Sequence, residues 1–140
     1  MRIILREASD YVLEFDAGEE VIGTLRGFCE KEKITSGFFS AIGASKELVL
    51  SYYSLEAKNY EDYPIRELPL EIVSLIGNVA LLNNIVIVHA HGSFSDIALS
   101  VEAGHVKRLI VSTTCEMHFK AFHDKTQRKY DDATGLNLMR

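Results

Sequence analysis

The run VALLNNIVIVHAHGSFSD, Val79 to Asp96, decides the fold. Two apolar stretches flank Asn83-Asn84, a pair that tolerates positive φ and so reads as a two-residue hairpin turn. The second stretch, Ile85-Val86-Ile87-Val88, is β-branched throughout and leads directly into His89-Ala90-His91-Gly92. Period-2 geometry puts His89 and His91 on one face of that strand, with Ala90 on the other. Their Cα atoms are then about 6.5 Å apart, close enough for two imidazole nitrogens to converge on one ion.

Outward from this hairpin the chain reads as strands with one helix. In EEVIGTLRGFCEKEK the apolar positions Val21, Ile22, Leu25, Phe28 and Cys29 line one helical face. Glu19 and Glu20 are expected in its first turn and Lys31 and Lys33 near its end, as the helix dipole favours. Strands are expected at Tyr11 to Phe15, Gly37 to Ala44, Glu47 to Leu55, Leu68 to Gly77, Val79 to Gly92 and His105 to Phe122. The polar stretch 124–140 reads as an exposed tail or an edge element. The expected fold is therefore α+β, sandwich-like, in one domain over residues 1–140: a mainly antiparallel, curved sheet packed on one main helix. Strands 85–88 and 109–111 are apolar on consecutive residues, which implies cover on both faces. One helix cannot supply that, so a barrel-like curl or a subunit interface is expected.

Composition narrows the function. At 140 residues, 47% hydrophobic and 25% charged, the chain can bury a core without staples. A net charge of −5 weighs against binding nucleic acid phosphates, a task for clustered Lys and Arg. Lys107, Arg108 and Lys120, or Lys125, Arg128 and Lys129, are local basic patches that read equally as solvated faces. Cys29 and Cys115 lack CxxC spacing and read as small buried thiols. No apolar run is long enough to span a bilayer and the N-terminus has no secretory pattern, so a cytoplasmic protein is expected.

HxH by itself is a weak signal, equally consistent with two structural histidines at a strand end. His105 strengthens it: it follows Gly104, where the missing side chain would let backbones approach, and it opens the next strong strand. Three neutral imidazoles on a sheet suit Zn²⁺ or a similar divalent ion and leave a coordination position open. Such an ion offers Lewis acidity or a water acidified to about pKa 7. An enzyme built this way would be a metal-dependent lyase or hydrolase acting on a small molecule. Glu116 and Glu71 are candidate proton-transfer groups, each either turned to solvent or held by a partner; Ser93 and Asp96 are candidate orienters of an imidazole. His118 and His123 read as exposed strand-end histidines. No P-loop, GxGxxG or GxSxG motif occurs.

The order GEEVIGTLRGFCEKEKITSGFFSAIGA, LEIVSLIGNVA, VHAHGSFSD, GHV and TTCEMHF resembles the plants-and-prokaryotes-conserved (PPC) domain, over roughly residues 1 to 138. The resemblance implies a homotrimer, and it implies that His89, His91 and His105 match the family's metal-type histidines. Their arrangement would be similar to the zinc site of acetolactate decarboxylase, whose fold is related. Plant relatives carry an AT-hook that grips DNA. This sequence has no RGRP-like segment, and the plant GRFEIL core stands here as LPLEIV, Leu68 to Val73, without the Arg. The resemblance thus leaves two functions open, a metal site for a small oxygen-rich molecule and a DNA-binding or transcription-associated assembly module.

Overall fold

The hairpin at Asn83-Asn84 forms as its sequence dictates. In the computed structural model, which describes residues 1–65 and 69–140, Asn83 and Asn84 take φ of 51° and 65°. Positive φ at both central residues is the turn whose twist matches antiparallel strands. It joins β5 (Leu70–Leu82) to β6 (Ile85–Ser95), paired from Leu82 with Ile85 to Glu71 with Ser95. Leu68, the expected start of this run, lies outside the described residues.

The helix α1 (Val21–Lys31) buries Val21, Leu25, Phe28 and Cys29, the i, i+4, i+7, i+8 stripe expected of it. It begins later than the charge pattern suggests. Glu20 is the N-cap and accepts from Ile22 N at 3.2 Å and Gly23 N at 2.5 Å, so neither Glu19 nor Glu20 is in the first turn. Lys33, at φ 58°, is already outside the helix. Glu20 also accepts from Leu109 N at 3.3 Å, tying the helix start to β7 (Val101–Ala121). Phe28 meets Tyr11 edge-on at 5.4 Å and Phe119 at 6.1 Å.

Around α1 run β1 (Arg2–Glu7), β2 (Asp10–Asp16), β3 (Gly37–Ser54) and β4 (Asn59–Ile65). All pairings within the main sheet are antiparallel. The two strands expected at 37–44 and 47–55 are one bent strand, β3, whose register shifts beside β7 between Gly43 and Ser45 and again between Ser45 and Glu47. An added Cβ at Gly43 would sit 2.2 Å from Thr114 O, so only glycine lets β3 lie this close to β7 at the bend. Because β3 pairs with both β5 and β7, and β7 with β6, the strands β3, β5, β6 and β7 close a ring. This curl supplies the cover that one helix cannot.

Ring and helix share one core, with Leu13, Phe15, Leu25, Phe39, Leu75, Phe94, Leu109 and Phe119 at no more than 0% exposure. Each such side chain contributes about 1.5–3 kcal/mol by leaving water. Leu109, Ile110 and Val111 are buried in succession, as expected, because the segment before α1 folds over β7: Val111 N donates to Glu19 O and Gly18 N to Val111 O. Within one chain the cover over 85–88 is partial. Only Val86 is buried there; Ile85 is exposed, and Ile87 and Val88 are half-buried.

The 124–140 stretch folds into a separate hairpin, β8 (Arg128–Asp131) and β9 (Leu136–Met139). It docks through Leu81 N to Thr126 O (2.8 Å) and Tyr53 Oη to Thr134 O (2.7 Å). The outer face of the sheet keeps Phe38, Ile42, Val73 and Ile76 exposed.

Candidate metal centre

β6 alternates cleanly where it matters. Val86, Ala90 and Phe94 point into the core, so Ile87, His89 and His91 take the opposite face. His91 pairs directly with His105 across the β6–β7 ladder, and His89 pairs with Asn78 on β5. Two histidines two residues apart and a third opposite one of them form a compact triangle. Ring centroids are 5.1 Å (His89–His91), 5.0 Å (His89–His105) and 5.4 Å (His91–His105) apart. One nitrogen from each of the three rings lies within 4.8 Å of the others, close enough to share one ion after small side-chain rotations.

The separation of His91 and His105 in sequence is mostly paired strand. β6 continues to Ser95 and β7 starts at Val101, leaving only a short turn, in which Asp96 Oδ1 accepts from Ala98 N and Ser100 N. Asp96 thus caps a turn. Gly104 is not the close-approach point its position suggested, since a Cβ there would lie an ordinary 3.5 Å from Ser51 O. Gly77 plays that part: a Cβ would sit 2.3 Å from His89 O, so glycine lets β5 pack against the backbone that carries His89.

Burial, first, and then Arg128 and the neighbouring imidazoles push His89 down to about 4. His105 is lowered by burial, His91 and Arg128, with Asp62 opposing. His89 and His105 are therefore uncharged at neutral pH, the form in which imidazole binds metal. His105 Nδ1 is buried with no hydrogen-bond partner. An orphaned ring nitrogen costs free energy unless something occupies it, and together with the nitrogen-only donor set it fits a borderline divalent ion.

Beside His89 and His105 lies a cavity of about 330 Å³, also lined by Tyr60, Arg128, Leu82, Ile87 and Leu136. Tyr60 lies against His105 at 4.9 Å between ring centroids and meets Tyr53 edge-on at 4.9 Å. Arg128 Nη2 donates to Asn78 Oδ1 at 2.7 Å and Nη1 to Asn137 O at 2.9 Å. Asn78 is the cross-strand neighbour of His89, so the guanidinium is fixed beside the triad.

Glu116 and Glu71 line a different cavity, with Ile42, Gly43, Val73 and Thr114. Ser93 is half-buried two residues beyond His91. His118 is exposed, 3.5 Å from Asp10 Oδ1, and His123 is exposed. Tyr60, Asn78 and the C-terminal hairpin's contribution were not legible in the sequence, and Arg128 was visible only as one member of a basic patch. The one available signal was RKYDDATGLNLM, two short runs around a turn at Asp131, Thr134 and Gly135.

Residues 5–123 match the Plants and Prokaryotes Conserved (PCC) domain, the same family whose motifs the sequence carries. No curated protein sequence matches the chain. Among solved structures, a proposed DNA-binding protein from Bacteroides thetaiotaomicron superposes with a TM-score of 0.92 at 29% identity, over 97% of this chain and 94% of that one. A metal-containing protein from Archaeoglobus fulgidus gives 0.86 at 28% identity, over 100% and 99%. Acetolactate decarboxylase from Bacillus subtilis gives 0.57 at 14% identity, over 81% of this chain and 53% of that one, a likeness of fold alone.

Proposed function

The chain belongs to the Plants and Prokaryotes Conserved domain family, and from that premise we propose that it is a metal-binding protein whose centre receives a small oxygen-bearing molecule. The observation that carries this reading is the triangle of His89, His91 and His105, with ligand atoms within 4.8 Å of one another, beside a cavity of about 330 Å³. The Archaeoglobus fulgidus relative, named as metal-containing, supports it. Three imidazoles with no carboxylate or thiolate favour zinc among common ions. When bound, the ion would supply Lewis acidity to an oxygen donor at its open position. The protein's own part is to hold His89 and His105 uncharged through burial and to shape the cavity with Tyr60, Arg128 and apolar walls.

We read the assembly as a homotrimer, as the family resemblance implies. The exposed Phe38, Ile42, Val73 and Ile76 give such an assembly an apolar face to bury. Light scattering of the purified protein tests it, and a monomer at micromolar concentration refutes it.

Metal analysis tests the centre. The expected result is one divalent ion per chain, lost in His91→Ala with the fold retained by circular dichroism. Wild-type protein that takes up no ion, or a variant that binds it unchanged, overturns the reading. The Bacteroides relative's name favours a second reading, a DNA-binding module. A net charge of −5 opposes it. A duplex mobility shift that weakens steeply with salt would establish DNA binding.

A further inference from the structure

We propose that Arg128 makes the cavity beside the histidines a site for a small carboxylate carrying a short apolar group, with the metal taking one of its oxygens; the inference rests on the metal reading above. Among the described residues no Asp or Glu pairs with Arg128, and none lines the cavity. Its two bonds go to neutral acceptors, Asn78 Oδ1 and Asn137 O, and its Nε is buried without a partner. Guanidinium keeps its charge and offers five N–H donors, so it is held in place but unsatisfied. The chain as a whole is acidic, at −5, so this local positive charge is not a share of a general surplus.

A half-buried cation without a counter-charge is costly, and a divalent ion on the neighbouring histidines adds charge of the same sign. A bound anion answers both. The rest of the lining selects which anion. Leu82, Ile87 and Leu136 are apolar, and about 330 Å³ is near the small end of ligand cavities. The planar fork of an arginine matches a carboxylate in two parallel hydrogen bonds. A small acid with a few carbons against the leucines satisfies all of these surfaces, whereas inorganic phosphate leaves the apolar walls wet.

Calorimetric titration of the zinc-loaded protein with isobutyrate, isobutyramide, acetate and inorganic phosphate tests this. Isobutyrate is expected to bind about tenfold or more tighter than the uncharged amide, and roughly tenfold tighter than acetate from its extra carbons. Arg128→Gln should lose about 10- to 100-fold in isobutyrate affinity while its zinc content stays unchanged. Arg128→Lys should retain part of the affinity, and it carries the test if the Gln variant does not fold. Equal binding of isobutyrate and isobutyramide, tighter binding of phosphate, or an unaffected Arg128→Gln overturns the inference and leaves the metal reading standing. If the protein takes up no zinc, the metal reading fails on its own. Titration of the metal-free protein then decides: isobutyrate binding lost in Arg128→Gln sustains the anion site, and no binding overturns it.

Discussion

Acidifying the metal-free protein from about pH 7.5 to about pH 5 should cost it roughly 1 kcal/mol more stability than the same change costs a His89→Gln variant. In the folded chain burial holds His89 down at about 4, against its ordinary 6.5. Between those values the unfolded chain binds the proton and the folded chain does not, so stability falls as pH falls through this window and the loss levels off below about 4. A fully shielded group would lose about 1.4 kcal/mol per pH unit inside the window. His89 is only half-buried, and solvent screening at such a site at least halves that figure, to about 0.7 kcal/mol per unit or less. His105 is lowered in the same direction and remains in both proteins, so the difference isolates His89. Urea unfolding in EDTA at both pH values, with midpoint and slope fitted together, reads it out. If wild type and His89→Gln lose the same stability, the ring is not shielded in the metal-free fold and the packing described around it is wrong.

Chelation should lower the melting temperature of the metal-loaded protein. At an ion concentration about a hundredfold above Kd the linkage amounts to about 2.7 kcal/mol, or roughly 5–10 °C for a chain of this size, and no shift in a calorimetric scan would argue against a folded-state site. Glu20→Ala removes the acceptor for Ile22 N, Gly23 N and Leu109 N; denaturant titration should show a loss of about 1–2 kcal/mol, and Glu20→Asp a smaller one. Cys29 and Cys115 are buried, with thiols pushed up to about 12, so a thiol reagent should label them only as fast as the protein opens. Prompt labelling of either at pH 8 would refute its burial.

The histidine triangle was legible because short-range geometry builds it. His89 and His91 share a face by period 2, and His105 reaches His91 through a tight hairpin between consecutive strands. The helix was legible for the same reason. What the pattern hid was context. β4, NYEDYPI, is an exposed edge strand that tolerates Pro64, and β1, RIILRE, leaves Ile3, Ile4 and Leu5 exposed, so neither shows the alternation of a half-buried strand. The break expected between Ala44 and Glu47 is a bulged bend within β3, because β7 continues alongside it. The ring closure that covers the sheet depends on β3 and β7 pairing far apart in sequence, which no local window records.

The site is built from two kinds of structure, and the difference bears on how its chemistry is divided. His91 and His105 stand on ladders bonded on both sides within the closed ring, and His89 stands on the β5–β6 ladder, so their spacing is fixed by the strand pairing of the ring. Arg128 and Leu136 arrive on a four-residue hairpin strand pair that lies in its own sheet and is joined to the body by a few bonds, such as Leu81 N to Thr126 O and Arg128 to Asn78. Substitutions in β8 and β9 can therefore reshape the cavity without moving the imidazoles. Changes at Gly77 cannot, because a side chain there would drive β5 into the backbone of His89 itself. On the proposed reading the ring would therefore set the ion's ligands, while the appended hairpin would contribute Arg128 and Leu136 to a cavity whose other walls, Tyr60, Leu82 and Ile87, belong to the main sheet.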